Sequence, residues 1–254
     1  MEPARPALTS ETTGWRLTLS VGTRKRVVDL TVGTVLAIVV LPVIAALALG
    51  AAVSLRTWPF FVQDRVGRRG RSFRMVKIRT LPVSAPARAT KYEVRDIPLP
   101  RFCRFLRTSH LDELPQLLLV PIGRMSLVGP RPEMPSLAAT YDHRFLTART
   151  SMRPGCTGLW QVSVDAVRLI DEIPDYDLYY VRQADLRLDL WVYWHTVRSF
   201  LPWAEPITLE DVFAYGRRRA LPGADWAQPR PERVRARLDG VQDVQPSPEA
   251  VRDG

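Results

Sequence analysis

The chain has 254 residues, of which 46% are hydrophobic and 24% charged, which is enough for one sizeable core with appended segments. Lysines and arginines number 36 against 26 aspartates and glutamates, and the resulting net charge of +10 predicts an anionic partner: lipid headgroups, nucleotide phosphates or nucleic acid. The two cysteines are far apart without a metal-binding spacing, and only three histidines occur. Composition therefore argues against a disulfide framework, a zinc site and a histidine-based triad, and favours carboxylates and arginines for any chemistry.

An apolar run from Leu30 to Leu55 contains no charged residue, and about 20 apolar residues suffice to cross a bilayer as a helix. Basic residues flank both ends of this run. Because the segments on the cytoplasmic side of a membrane helix are enriched in lysine and arginine, both ends are expected on the cytoplasmic side. Pro42 lies near its middle, where the ring and the missing N–H kink or break a helix. We therefore predict a loose lead-in over residues 1–23 and a kinked, re-entrant membrane hairpin over residues 24–56, in preference to a signal peptide or a plain spanning helix.

After the membrane segment, Phe60–Val66 and Phe73–Arg79 are predicted to be two strands of a β-hairpin, joined through the glycine-containing turn Gly67–Gly70. Seven basic residues lie between Arg65 and Arg79. This surface either meets anionic headgroups or a nucleotide phosphate, or is simply a solvated basic face.

Apolar residues recur at helical spacing from Arg101 onward, and again from Leu186 to Leu201 in a stretch rich in tryptophan and tyrosine. The later helix suits a membrane interface or ordinary core packing. Pro-Arg and Pro-Ser repeats near the C-terminus cannot bury a core, so a C-terminal extension over residues 204–254 is predicted to be largely disordered after residue 216. The fold class predicted is α+β and mainly helical, with the re-entrant hairpin, a compact domain over residues 57–203 and a short β-hairpin.

The most informative stretch is Arg107–Gln116, in which Asp112 and Glu113 are adjacent carboxylates flanked by leucines. A purely structural interpretation exists, because Ser109 followed three residues later by Asp112 resembles a capping box at a helix start. Taken in isolation, capping is slightly favoured over catalysis.

Two stiff turns shift that balance towards chemistry. Prolines fix φ on both sides of Arg131, and Arg153 opens a second Pro-Gly turn, so each turn projects a guanidinium that can bind phosphate through two nitrogens. Together with a membrane segment, they predict an anionic substrate that is handled at the bilayer surface.

Seven segments in chain order resemble the bacterial sugar transferase family, the monotopic polyprenyl-phosphate phosphoglycosyl transferases. The resemblance covers about residues 24 to 200, and it rests on Lys25–Asp29, Gln63–Gly67, Lys77–Thr80, Leu111–Gln116, Met125–Pro132, Arg153–Gly158 and Asp177–Val181. It implies the minimal form of the family, with a catalytic domain over residues 57–203 on the cytoplasmic face of the bacterial inner membrane.

The resemblance implies that a phosphosugar passes from a nucleotide-sugar, expected to be a UDP-sugar, to polyprenyl phosphate, with release of UMP. This is the initiating step of glycoconjugate or exopolysaccharide synthesis. By resemblance, Asp112 is the covalent nucleophile and a ligand of Mg²⁺, and Glu113 is its acid/base or metal-positioning partner. The basic residues expected to bind substrate are Lys77, Arg79, Arg107, Arg131, Arg153 and Arg168.

Some positions depart from the family pattern. Leu41 precedes Pro42 in place of the usual serine, Leu119 replaces an asparagine, and Arg124 replaces an aspartate. The largest change puts Asp165 where the family has an arginine, and we hypothesise that Arg168 substitutes for it from one helical turn away.

Two other functions compete with the active transferase. One is a catalytically silent membrane scaffold of the same fold, against which the retention of both carboxylates argues. The other is a nucleic-acid-binding protein, which only the charge supports, since no reader module is recognisable. We therefore expect membrane lipid, a nucleotide-sugar and polyprenyl phosphate as partners, and no nucleic acid.

Overall fold

The computed structural model describes residues 12–85, 97–201 and 203–219, without the side chains of residues 12–21. Its helices are α1 (Thr12–Leu55), α2 (Arg101–Thr108), α3 (Pro135–Ala138), α4 (His143–Thr150), α5 (Asp175–Gln183), α6 (Leu186–Arg198) and α7 (Leu209–Arg219). Its strands are β1 (Phe60–Val66), β2 (Ser72–Ile78), β3 (Ser126–Val128) and β4 (Gly155–Thr157). Short 3₁₀ segments cover Arg68–Gly70, Leu111–Leu119 and Val164–Val167. The mainly helical α+β class predicted from the sequence is confirmed.

The N-terminal helix α1 is one continuous α-helix that includes Pro42. Within the described residues, Gly22–Leu55 is the one helix long and apolar enough to cross a membrane. The helix is not broken at Pro42, because a helix can absorb a proline by bending and losing one hydrogen bond rather than ending; the re-entrant path through the membrane stays a prediction. The loose lead-in is also corrected, since α1 begins at Thr12; residues 1–11 lie outside the described part.

One side of α1 packs against the rest of the domain along the whole apolar segment. The buried positions follow helical spacing, at Lys25, Asp29, Gly33, Ala37, Ile44, Ala48 and Ala51. Small residues allow a close approach: a Cβ on Gly33 would lie 2.6 Å from Val120 Cγ1, and one on Gly50 would lie 2.6 Å from the Phe102 ring. The other sides of α1 expose valine, leucine and isoleucine, which is the pattern of a helix that faces the domain on one side and lipid on the other.

Two buried carboxylates attach α1 to the domain just before the apolar run begins at Leu30. Lys25 Nζ lies 2.7 Å from Asp189 Oδ2 on α6, and both side chains are almost fully buried. Asp29 accepts hydrogen bonds from Ser126 Oγ at 2.6 Å and from Leu127 N at 3.1 Å, which connects α1 to β3. Tyr180 Oη donates to the second oxygen of Asp189 at 2.5 Å, so both oxygens of this buried carboxylate have a hydrogen-bond partner.

Strands β1 and β2 form the predicted antiparallel hairpin, with Phe60 opposite Ile78 and Val66 opposite Ser72. The turn between them contains Arg69 and Gly70, both at positive φ. The buried side chains of β2 pack on the 3₁₀ segment Leu111–Leu119. Phe73 and Met75 of β2 form one core cluster with Leu119 and the following Val120. This packing sets the 3₁₀ segment alongside β2.

A second, two-stranded sheet was not predicted from the sequence. Strand β3 runs parallel to β4, with Ser126 opposite Gly155 and Val128 opposite Thr157. The two strands have only three residues each, too few for a recognisable alternation of apolar and polar residues. They bring the two predicted proline-containing turns together.

The chain divides into two units, with the boundary between Ile207 and Thr208. In the second unit, Thr208 Oγ1 donates to Asp211 Oδ2 at 2.8 Å and accepts from Asp211 N at 3.2 Å, which is a capping arrangement at the start of α7. Helix α7 continues to Arg219, three residues into the stretch for which disorder is predicted, and residues 220–254 lie outside the described part.

Replacing Lys25 with methionine should destabilise the protein by about 3–5 kcal/mol, because Asp189 is left buried without its cation. The double variant Lys25→Met/Asp189→Leu should recover most of this loss. Thermal unfolding in a neutral detergent measures both. Arg24→Met, the same change at the exposed neighbouring position, is the control, and equal effects of Lys25→Met and Arg24→Met would contradict the assignment.

Candidate active site

Glu113 is held between two cations that come from different parts of the fold. Lys77 Nζ, near the end of β2, lies 2.6 Å from Glu113 Oε1, and Arg131 Nη2, after β3, lies 3.4 Å from the same oxygen. Burial alone would raise the pKa of Glu113, but the Lys77 ammonium and the Arg131 guanidinium outweigh burial and hold that pKa well below its ordinary range. Glu113 is therefore a permanent carboxylate fixed in position.

The neighbouring Asp112 has a different environment. Its side chain is buried at 8% exposure, and burial together with the adjacent Glu113 charge raises the pKa of Asp112 to about 6, although Lys77 and Arg107 act in the opposite direction. At neutral pH it is ionised but is less stabilised by ion pairs than Glu113. A carboxylate with this environment is more basic and more nucleophilic than one locked into a salt bridge.

The backbone before Asp112 explains why the two carboxylates point in usable directions. Helix α2 ends at Thr108, and His110 then adopts a left-handed conformation at φ 56°, which is uncommon for a residue with a side chain. The 3₁₀ segment that follows contains Pro115, whose missing N–H suits a short, tight helix. Strained backbone of this kind clusters at functional sites.

The capping-box interpretation of Asp112 is wrong. Ser109 Oγ donates to Phe105 O at 2.7 Å, within the last turn of α2, and no side chain caps the start of the 3₁₀ segment. Asp112 does not return a hydrogen bond to Ser109, because Ser109 N donates to Phe105 O at 3.0 Å within α2 and the chain changes direction at His110.

Three glycines set the position of Arg131. A Cβ on Gly155 would lie 2.1 Å from Gly129 N, and one on Gly158 would lie 2.2 Å from Gly129 O, so only glycine fits at this crossing. Gly155 N donates to Pro130 O at 2.9 Å, and Gly129 N donates to Thr157 O at 2.9 Å. The Pro-Arg-Pro turn is thereby held rigidly against β4.

A buried ion pair, not predicted from the sequence, supports this turn. Arg149 Nη2 donates to Arg131 O at 2.7 Å, and Arg149 Nε donates to Asp177 Oδ2 at 3.0 Å. The Arg131 guanidinium also lies 6.0 Å from the centre of the Trp160 ring. Arg149 lies outside every segment that carries the resemblance; only its partner Asp177, an acidic residue in an otherwise aromatic segment, gave a signal.

The structure brings together some of the basic residues expected to bind substrate. Lys77, Arg107 and Arg131 act on the two carboxylates. Arg79 instead donates to Trp58 O at 3.2 Å and to Phe60 O at 3.4 Å, which ties off the open end of the hairpin.

Arg153 and Arg168 lie in other surroundings. Arg153 Nε donates to Gly123 O at 3.0 Å, beside the hairpin turn. Arg168 Nε lies 3.0 Å from Glu172 Oε2 and its Nη1 lies 4.0 Å from Asp165 Oδ1, so two carboxylates already compete for this half-exposed guanidinium. Asp165 in turn accepts a hydrogen bond from Tyr176 Oη at 2.9 Å, so its carboxylate has a partner of its own beside Arg168.

The carboxylates of the site could hold Mg²⁺ only together with ligands from the substrate. Among the described residues, no group of three or more acidic, histidine or cysteine side chains is placed to hold a metal. Mg²⁺ needs few protein ligands when substrate phosphates and water complete its octahedron. One oxygen of Glu113 is engaged by Lys77 and Arg131, so Asp112 is the carboxylate best placed to provide a ligand.

Comparison with known proteins gives a consistent answer. The model of the family described as bacterial sugar transferase matches residues 21–202. A UDP-glucose:undecaprenyl-phosphate glucose-1-phosphate transferase of Caulobacter vibrioides is 33% identical over 207 residues, 78% of this chain and 78% of that protein. An enzyme of the same name from Klebsiella pneumoniae is 31% identical over 68% of this chain. A UDP-N-acetylgalactosamine-undecaprenyl-phosphate N-acetylgalactosaminephosphotransferase of Aeromonas hydrophila is 31% identical over 65% of this chain. The matched region spans 39% of the Klebsiella protein and 41% of the Aeromonas protein.

Proposed function

The chain belongs to the bacterial sugar transferase family, and on that premise we propose that it transfers a sugar phosphate from a nucleotide-sugar to polyprenyl phosphate through a covalent aspartyl intermediate. The observation that carries the proposal is the pair of carboxylates with unequal environments, surrounded by Lys77, Arg107 and Arg131. The relatives named above are UDP-sugar enzymes with undecaprenyl phosphate as acceptor, which supports a UDP-sugar donor and a polyprenyl phosphate acceptor. Their names differ in the sugar, so the sugar is left open.

In the first step, the Asp112 carboxylate attacks the β-phosphorus of the donor. A bond forms between its oxygen and phosphorus, the bond from phosphorus to the bridging oxygen breaks, and UMP leaves with the electron pair. In the second step, a phosphate oxygen of polyprenyl phosphate attacks the same phosphorus, and the bond to Asp112 breaks to regenerate the carboxylate. Two steps allow one site to serve a soluble and a lipid substrate in turn.

The cations around the carboxylates have separate tasks in this scheme. Arg131, held rigidly by its turn, binds the donor pyrophosphate, and Arg107 offsets the charge that accumulates as Asp112 attacks. Lys77 holds Glu113 in position. Glu113 in turn orients the ligands of Mg²⁺ and the oxygen atoms that attack phosphorus in the two steps. Mg²⁺, held by Asp112 together with substrate phosphates, would supply charge neutralisation between the nucleophile and the pyrophosphate.

We also propose that α1 enters the membrane from the cytoplasmic side of the inner membrane and returns to it. Asp29 and Ala51, near the two ends of the apolar run, pack on the same domain, which supports this path because a spanning helix would leave one of its ends on the far side of the membrane. Exposed aromatic residues at Trp194, Phe200 and Trp203 support an adjacent interfacial surface, since tryptophan and its neighbours favour the headgroup layer. A lipid acceptor would then reach Asp112 without leaving the bilayer.

The reaction is tested by UMP release from a panel of UDP-sugars, with Mg²⁺ and polyprenyl phosphate and the full chain in membranes. Asp112→Asn should lower the rate at least about a thousandfold, because the amide cannot form the acyl phosphate. Asp175→Asn, the same change at an exposed position, should leave the rate unchanged. Folded wild-type protein that releases no UMP from any donor would favour the catalytically silent scaffold.

The pH dependence follows from the raised pKa of Asp112. Since the nucleophile must be ionised, kcat/KM for the donor should fall about tenfold per pH unit below about pH 6 and level off above it. Arg107→Gln removes a cation that lowers this pKa, so the acid limb should move to higher pH, whereas Arg107→Lys should keep it in place. A limb that stays in place in Arg107→Gln would contradict this assignment.

A further inference from the structure

An arginine-lined pocket lies at the turn of the β-hairpin, apart from the carboxylate pair. Its lining includes the five arginines Arg68, Arg69, Arg71, Arg124 and Arg153, with Gly67, Gly123 and Phe73 between them. Neither Asp112 nor Glu113 lines it. Arg71 stands just before β2 and Lys77 near its end, so about 20 Å of strand separates the pocket from the Lys77–Glu113 pair.

These arginines come from three separate loops that the fold brings to one place. The hairpin turn provides three of them, the loop before β3 provides Arg124, and the loop before β4 provides Arg153. Arg68 Nε donates to Ser151 O at 3.3 Å and Arg153 Nε donates to Gly123 O at 3.0 Å, so both guanidinium groups are held by the backbone of neighbouring loops. Arg69 is in the left-handed region at φ 58°, a conformation that costs free energy in a residue with a side chain.

The pocket concentrates positive charge without matching anions. Among the described residues, none of the five arginines forms an ion pair with a carboxylate. Arg153 also feels the positive charge of Arg26 on α1, and Asp29 only partly offsets this. Burial and the charges of Arg153 and Arg69 lower the pKa of Arg68, and burial and the charge of Arg26 lower the pKa of Arg153. An assembly of like charges held by the backbone favours binding of an anion that neutralises it.

Size and position limit what this anion is. The cavity has a volume of about 210 Å³, below the roughly 300–1,000 Å³ of pockets for drug-sized ligands, so it suits a phosphate group rather than a whole nucleotide-sugar. Arg26 lies on α1 one turn before the apolar run begins at Leu30, and its guanidinium reaches the wall of the pocket. A Cβ atom added to Gly123, which lines the pocket, would lie 3.1 Å from Arg26 Nη2. The pocket therefore lies where α1 changes from charged to apolar, the level at which lipid phosphates lie if this run is in the membrane.

We propose that the five-arginine pocket is a second phosphate-binding site that takes the phosphate group of an anionic membrane lipid at the headgroup layer. Guanidinium groups bind phosphate oxygens through two nitrogens at once, which several loops converging on one cavity allow. The role of the site is to fix the height and tilt of the domain on the bilayer, independently of the donor reaction.

Binding tests this without turnover, so its failure is distinct from a failure of the proposed reaction. The full chain in a neutral detergent is titrated with short-chain phosphatidylglycerol, short-chain phosphatidylcholine and inorganic phosphate, and binding is followed by thermal shift. Saturable stabilisation by phosphatidylglycerol but not by phosphatidylcholine is expected. Saturation by inorganic phosphate, with no further gain from phosphatidylglycerol, would overturn the assignment to a lipid and indicate a soluble phosphate as the ligand.

The variant Arg69→Gln/Arg124→Gln removes two of the cations, and its affinity for the anion should be at least about tenfold weaker, since charge-assisted hydrogen bonds are lost. Its rate of UMP release should match that of the wild type. Arg182→Gln/Arg187→Gln makes the same charge change at exposed arginines outside the pocket and should retain full affinity. Equal losses in the two double variants, or no saturable binding by either phosphate compound in the wild type, would overturn the proposal.

Discussion

Two adjacent carboxylates that are both largely buried repel each other, and the site depends on how the fold resolves that repulsion. Lys77 and Arg131 converge on one oxygen of Glu113 and keep it ionised, while burial, together with the adjacent Glu113 charge, raises the pKa of Asp112 to about 6. The β-hairpin positions Lys77, and the close contact among Gly129, Gly155 and Gly158 positions Arg131. A loss of either cation would reduce the difference between the two carboxylates and so weaken their separation into a fixed partner and a nucleophile.

The same elements connect the site to the membrane helix. Strand β3, which leads to Arg131, is hydrogen-bonded to Asp29 of α1 through Ser126 and Leu127. Helix α6, whose Asp189 binds Lys25, also exposes Trp194 on its outer side. The apolar helix is thus part of the domain that holds the carboxylates and not a detachable anchor. A rigid connection of this kind suits a reaction whose second substrate is itself embedded in the bilayer, because it fixes the depth of the reacting carboxylate.

The sequence predicted the features that depend on local pattern and missed those that depend on packing. The β-hairpin followed from two apolar strands around glycines, and the Pro-Arg-Pro turn from the fixed φ of proline. The parallel pairing of β3 with β4 and the support of Arg131 by Arg149 depend on contacts between residues far apart in the chain, for which single-sequence periodicity gives no signal. The break at Pro42 and the capping box at Ser109 are wrong because each rule describes an isolated segment: α1 continues through its proline, and the left-handed His110 redirects the chain after Ser109.

The central claim is that Asp112 becomes covalently attached to the phosphosugar, and peptide mass spectrometry tests it most directly. The full chain is incubated with Mg²⁺ and a UDP-sugar carrying an isotopic label in the sugar, without polyprenyl phosphate, and is then quenched and digested. A labelled phosphosugar on the peptide that contains Asp112, formed together with UMP and removed when polyprenyl phosphate is added, is the expected result. UMP that appears only in the presence of the acceptor, with no labelled peptide at any time, would contradict the claim and indicate direct transfer from donor to lipid.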